Sequence, residues 1–414
     1  MPAKSGSIAK KILYIHPISG AGGALEALLR LVKELDRSKH YPKVLCPGLG
    51  ISYESFKNHG IDVEVENGIK NFSHATAGWY PIERLHSLIM NFFRLIYSAA
   101  VIYKVVKREK PALVHLSSSV LLGPGIGAKA ANVPVVWHIR EYLHDGYFGI
   151  RKWIITNLID KLSDAIIAIT ETDAKRLKPS NRIKVVYDSV DFNKFNRHID
   201  GDKFKKEFNI KGQDKCIGMF GGISRIKGTL EFVGAAREIL QKGKNFKFFI
   251  FGTTANLSPD TLKARIKKKI KKITLQENYN AKIKKAITGN LNGRIKFIGN
   301  RQDIPQIMAG LDLIVFPSIM PHSALPIIEA GAMAKPTVAS NWGETAEQVV
   351  NGVTGFLVVP EDLKALSQAI IEILSNPELA RSMGDEGYKR ARELFDIKRN
   401  VKKVVKIYND LLNF

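Results

Sequence analysis

Short apolar runs alternating with amphipathic stretches, in a pattern that starts twice, constrain this chain more than any other feature. In the first half Lys11–His16, Lys43–Cys46, Ala112–Leu116, Pro134–Ile139, Ala165–Thr170 and Lys184–Val186 read as strands. Helical stretches at Leu25–Leu35, Ile82–Lys107 and Arg151–Leu162 fall among them. The pattern restarts at Cys216–Phe220 and continues through Phe246–Phe251, Arg294–Phe297, Leu313–Phe316, Thr337–Ala339 and Gly355–Val358. Strands apolar along their length and separated by helices predict a parallel sheet covered on both faces. A chain of 414 residues is long enough to bury two such cores. The join is expected in the charged stretch Asp200–Phe208, giving α/β domains 1–204 and 205–395. No internal repeat accompanies the restart, so the duplication is architectural.

Candidate chemistry concentrates in the second half. Between Phe316 and Val358 a strand and a polar loop lead into a helix that starts near Ser323 and carries Glu329. Such a junction presents unpaired backbone N–H groups and a positive dipole end, which suit a nucleotide diphosphate. A carboxylate a turn or two further in can accept from a ribose diol. Upstream, the run Met219–Gly228 breaks from an apolar strand into Gly221 and Gly222, then reaches Lys227 and Gly228 before the amphipathic helix Thr229–Leu240. Glycine lets backbone approach a phosphate, and Lys227 supplies a point charge for it. Arg225 is a second cation within reach.

These motifs resemble the donor-binding region of retaining glycosyltransferases of family 4, which share the GT-B fold. Glu329, Ala332-Met333-Ala334, Glu347 and the run Gly352–Val358 match the family pattern, as does Lys227. Two positions depart from it: Gly222 stands where the family has an arginine, and Pro321, beside His322, replaces the first of two glutamates. The resemblance implies two Rossmann-like parallel-sheet domains facing each other across a cleft, with the last helix, within 396–414, packing back on the first domain. It assigns Glu329 to the ribose, Lys227 and Arg225 to the diphosphate, and Leu325, Pro326 and Ile327 to the helix start that borders the donor. Base contacts fall to backbone around Gly252 and Phe297–Arg301. The activity implied is transfer of a sugar, with retention, from a nucleotide-diphosphate sugar to a glycan or lipid-linked acceptor in cell-surface polysaccharide or lipopolysaccharide synthesis. No cofactor and no metal are implied. An epimerase or phosphorylase would want catalytic carboxylates or a lysine holding pyridoxal phosphate, and neither is recognisable. A catalytically degenerate scaffolding subunit is the alternative that Gly222 and Pro321 raise.

In the first half, Gly20-Ala21-Gly22-Gly23 follows the first strand. Its spacing is not that of a dinucleotide fingerprint, so the choice is between a tight turn and a loop bordering the ligand. His16, His115 and His138 stand at or near the carboxyl ends of expected strands, the edge where open α/β sheets bind ligands. His138, in the run Pro134–Glu141, is the candidate catalytic histidine. Arg140 and Glu141 are expected acceptor contacts, with Gly22, Gly23, His16, His115 and His322 completing the acceptor side.

Net charge is +24, and ten Lys or Arg lie between Lys263 and Lys285 with Glu277 the single acid. That run reads either as a solvated helix face or as adhesion to an anionic membrane surface. No nucleic-acid module accompanies it. The segment Leu88–Val106 is interrupted by Asn91, Arg94 and Lys104, which leaves a packed or interfacial helix and no expected span. Two cysteines far apart in sequence suit a reducing compartment, and the first residues lack a signal-peptide run, so the expected location is cytoplasmic, free or peripheral on the membrane's inner face.

Overall fold

Seven parallel strands build the first sheet: β1 (Lys10–Ile15), β2 (His40–Cys46), β3 (Asp62–Val65), β4 (Leu113–Leu116), β5 (Val135–Ile139), β6 (Ala165–Ala168) and β7 (Ile183–Val185). Their order is β3-β2-β1-β4-β5-β6-β7. The structure, a computed structural model, describes residues 9–72, 85–145, 147–253, 275–287, 291 and 293–412. In β1 the side chains alternate between two cores: Ile12 and Tyr14 belong to one, Leu13 and Ile15 to the other. With both faces buried, the strand has no polar side to show, which is why its sequence is a continuous apolar run. The helices Gly23–Lys33 and Ile397–Leu412 cover the first face, and Leu85–Glu109, Leu122–Ala130 and Ile150–Leu162 the second.

The helix Leu122–Ala130, with sequence LGPGIGAKA, has poor intrinsic propensity. Packing explains it. A Cβ on Gly127 would fall 2.2 Å from the Ala99 carbonyl oxygen, and one on Gly123 2.7 Å from that of Leu95. The glycines let the helix Leu85–Glu109 rest backbone to backbone on this one.

Six parallel strands form the second sheet, in the order β10-β9-β8-β11-β12-β13. They are β8 (Lys215–Phe220), β9 (Phe246–Phe251), β10 (Ile295–Ile298), β11 (Leu313–Phe316), β12 (Thr337–Ser340) and β13 (Gly355–Val358). In both sheets the strand order reverses at one point, between β1 and β4 and between β8 and β11. Crevices at the carboxyl ends of strands form there.

Two expectations need correction. The edge strand β3 has no counterpart in the sequence reading, because its alternating DVEV is half-buried throughout. The chain also divides earlier than 204/205: one unit is Met1–Ser189 with Phe395–Phe414, the other Val190–Leu394. The charged stretch belongs to the second unit because Phe204 is buried against Phe249 and Phe251. Of the basic run Lys263–Lys285, only the helix Leu275–Ala286 lies within the described residues. The turn residue Thr254 and the start of the expected helix Ile82–Lys107 also lie outside them.

Candidate active site

In the second unit, the loops that leave β8 and β11 clasp each other. A Cβ on Gly228 would collide with the Pro317 carbonyl oxygen at 1.7 Å, and the Ile319 N–H donates to the Ile226 carbonyl over 3.0 Å. Gly228 also has φ 76°, which a side chain would strain. Thr229, fully buried, fixes the β8 loop: its hydroxyl accepts from the Ser224 N–H at 2.9 Å and donates to the Ser224 carbonyl at 3.0 Å.

The same loop is tied to the end of β9. The N–H groups of Gly221 and Gly222 both donate to the Phe251 carbonyl, at 2.8 and 2.7 Å. Gly222 has φ 72°, and a Cβ there would lie 2.3 Å from the Thr253 carbonyl oxygen. A Cβ on Gly252 would in turn meet the Gly222 nitrogen at 2.5 Å. Gly222 and Gly252 therefore let two backbones touch. The arginine of the family pattern is absent from a place where no side chain fits.

Lys227 folds back over this glycine floor. A Cβ on Gly221 would be 2.4 Å from its Nζ. Burial pushes the ammonium pKa down, and among the described residues no carboxylate opposes that shift. On the opposite side of the clasp, His322 stacks on Phe316 at 5.7 Å with 19° between planes. Its surroundings and the Lys227 charge pull its pKa to about 4, so the imidazole is neutral at pH 7. Arg225 points from the exposed part of the loop.

The helix Leu325–Ala332 begins beside these groups. Pro326 occupies its first turn, where a missing N–H leaves nothing unsatisfied. No side chain caps the N-terminus from Ala324; instead Gln348 accepts from the Ala324 N–H at 3.0 Å and donates to Ser323 Oγ at 3.1 Å. Glu329, on the second turn, is 6% exposed. Trp342 donates from Nε1 to the Ser318 carbonyl over 2.9 Å. Gln348, Trp342 and Thr229 are supports that sequence reasoning missed. Their signal was spacing after the Glu329 helix and after Lys227-Gly228, but the roles need tertiary contacts to see. Ser318 Oγ is buried with no hydrogen-bond partner among the described residues.

In the first unit the structure draws the histidines inward. His115 is fully buried: its Nδ1 lies 2.8 Å from the Tyr408 hydroxyl and its Nε2 3.3 Å from His138 Nδ1. Tyr408 continues to Tyr14 at 3.1 Å. His115 is thus an interior residue and not an acceptor contact, because its strand position faces the core formed with the helix Ile397–Leu412. His138, 3% exposed, sits in the same chain of polar groups next to the ion pair Arg140–Asp188. Burial first, then Arg140, holds His138 well below the usual histidine range and takes His16 and His115 to about 3. His16 is also fully buried, 3.3 Å from Ser52 Oγ. Glu141 is engaged by protein as well: Ser118 donates to one carboxylate oxygen, and the Ser119 N–H and hydroxyl to the other, at 2.9 and 2.8 Å. Gly22 and Gly23 are exposed at the start of the helix Gly23–Lys33, which has no side-chain cap.

A pair of doubly wound parallel sheets, with a lysine, a neutral histidine and a helix-borne glutamate at the second switch point, defines a GT-B glycosyltransferase. The chain belongs to the glycosyl transferases group 1: that family model matches residues 200–390, and the model of Glycosyltransferase Family 4 matches residues 21–194. It is 26% identical over 327 residues to the Escherichia coli UDP-Gal:alpha-D-GlcNAc-diphosphoundecaprenol alpha-1,3-galactosyltransferase, covering 75% of this chain and 78% of that protein. To the Staphylococcus aureus capsular polysaccharide biosynthesis glycosyltransferase CapM it is 24% identical over 377 residues, 86% of this chain and 91% of the relative. The crystal structure of Anabaena Alr3699/HepE in complex with UDP-glucose superposes with a TM-score of 0.76 at 21% identity, over 96% of this chain and 99% of that one.

Proposed function

We propose that this glycosyltransferase moves a sugar, with retention and without a metal, from a nucleotide-diphosphate donor to a glycan or lipid-linked acceptor of cell-surface polysaccharide or lipopolysaccharide synthesis. The observation that carries the donor reading is Lys227, a half-buried ammonium laid over Gly221 at the switch point, with no carboxylate among the described residues countering its shift. A diphosphate would complete that charge, with the open N-terminus of the helix Leu325–Ala332 as its second partner. Glu329 would hold the ribose. Arg225, exposed on the same loop, would add a second charge in place of the arginine that Gly222 excludes.

Departure of the diphosphate is the step that most needs help. Fixed positive charge in a partly dry site does more for it than the same charge in water. The acceptor oxygen would attack on the face the diphosphate leaves, and the departing phosphate would take its proton. His322, neutral at pH 7, would offer the donor sugar a hydrogen bond where the family's first glutamate is missing. In the first unit, Arg140, Gly22 and Gly23 remain the proposed acceptor-side residues, and His138 the proposed catalytic histidine. The lipid-linked acceptor is supported by the diphosphoundecaprenol named for the E. coli relative. An anionic membrane surface engaged through Lys263–Lys285, and a location on the inner face of the membrane, belong to the same proposal.

The test is a panel of nucleotide sugars scored by thermal shift and by transfer, on wild type and Lys227→Ala. A selective shift with Lys227-dependent turnover supports the reading. No shift with any donor would favour the scaffolding alternative.

A further inference from the structure

On the second face of the first sheet, two helices turn apolar side chains outward. The helix Leu85–Glu109 is anchored by Ile102, Val105 and Val106, which are buried in the core beneath it. Its N-terminal half shows Ile89, Phe92, Phe93, Ile96 and Tyr97, each about half or more exposed, with Phe93 at 61%. These positions recur at helical spacing, so they form one stripe. The helix Ile150–Leu162 covers the same sheet face beyond the glycine-rich helix Leu122–Ala130, and it exposes Trp153 (66%) and Ile154. Just before it stands Phe148, fully exposed at φ 55°, a backbone region that aromatic residues rarely adopt.

We infer that this face, from Phe92 and Phe93 to Phe148 and Trp153, docks onto an anionic phospholipid bilayer by inserting its apolar side chains at the headgroup boundary. Three observations favour lipid as the occupant. The helix carries Arg94, Lys104 and Lys107 with no acid before Glu109, so its charge complements an anionic surface. Arg94 and Lys104 are exposed and flank the stripe, where long basic side chains reach phosphate while their stems lie on apolar surface. The exposed set mixes Trp, Tyr and Phe with aliphatics, the composition of an interfacial helix.

By length and composition Ile89–Glu109 could cross a membrane. The burial of Ile102, Val105 and Val106 against the sheet excludes crossing while the domain stays folded. The helix therefore lies on the membrane. This deepens the lipid-linked acceptor reading and draws its biological sense from it, but the measurement needs no turnover. It also assigns the contact to the first unit, in addition to the basic run Lys263–Lys285.

The experiment is flotation of the full chain with vesicles of phosphatidylcholine alone and of phosphatidylcholine with phosphatidylglycerol, at low and at 0.5 M salt. Wild type, Phe93→Ser/Trp153→Ser and Lys282→Glu/Lys284→Glu are compared, with donor thermal shift measured on each. Wild type is expected to float with phosphatidylglycerol vesicles and to keep a salt-resistant fraction. Phe93→Ser/Trp153→Ser should reduce partition at least tenfold with an unchanged melting temperature and donor shift, while the lysine variant loses only the salt-sensitive part. No flotation of wild type overturns the inference, as does a Phe93→Ser/Trp153→Ser protein that floats like wild type. Self-association abolished by the same substitutions, without vesicle binding, would assign the face to a second copy instead. Failure of donor binding in wild type would count against the transferase reading and leave this one standing.

Discussion

Lys227 lies so close over Gly221 that a Cβ on the glycine would sit 2.4 Å from the lysine's Nζ. The glycine makes room for the ammonium. Lys227→Ala should lower turnover by roughly 10²–10³, the usual loss when one group stabilising transition-state charge is removed. Because no carboxylate among the described residues pairs with the ammonium, folding should lose little. Steady-state transfer kinetics beside a thermal melt would separate the two effects.

Gly222→Arg restores the family's residue and should fail to restore anything. At φ 72°, with the Thr253 carbonyl 2.3 Å from the Cβ position, the substitution forces two backbones apart. A cost of about 1–3 kcal/mol is expected from the backbone conformation alone. Denaturant unfolding would show it as a lower midpoint, and donor affinity should fall. A variant as stable as wild type would mean that the β8 and β9 loops are not packed in this way.

The interior histidines set a direction for acid sensitivity. His16 and His115 have folded pKa values near 3, below the 6.5 of an unfolded histidine. Between those values the unfolded chain binds more protons, so stability is fully present above pH 6.5 and is lost as pH falls toward 3. At pH 5.5 the loss is about 1.4 kcal/mol for each histidine. Urea midpoints measured from pH 7.5 to 5.5 should drop, and His115→Asn should flatten that dependence.

The ion pair Arg140–Asp188 is nearly dry, with side-chain exposures of 6% and 15%. Breaking it by Arg140→Ala leaves a carboxylate without its partner and should cost about 3–5 kcal/mol. Asp188→Asn keeps a hydrogen bond and should cost less than Asp188→Ala. Chemical denaturation of the three variants gives the order.

Most of the fold was legible because it follows from local periodicity. Runs such as Leu313–Phe316 are apolar throughout, and only a strand buried on both faces needs that. The strand β3 was not legible: DVEV, half-buried at a sheet edge, carries no such run. At the site, Lys227 and Glu329 stood out because charge beside glycine or at a helix start is a local signal. His115 misled for the opposite reason. A polar residue at a strand end looks the same in sequence whether it faces a ligand or a tyrosine from a helix nearly three hundred residues later, as His115 faces Tyr408. The glycine pair Gly222 and Gly252 was read as ligand-facing, and the mutual packing of their backbones could not be seen in the sequence.

The central claim is that Lys227 holds a diphosphate. Isothermal titration of nucleoside diphosphates and monophosphates, in the presence of a chelator, on wild type and Lys227→Ala addresses it most directly. The expected result is at least tenfold tighter binding of a diphosphate than of its monophosphate by wild type, with the difference erased in Lys227→Ala. Equal affinities in wild type, or a preference that survives loss of the lysine, would contradict it.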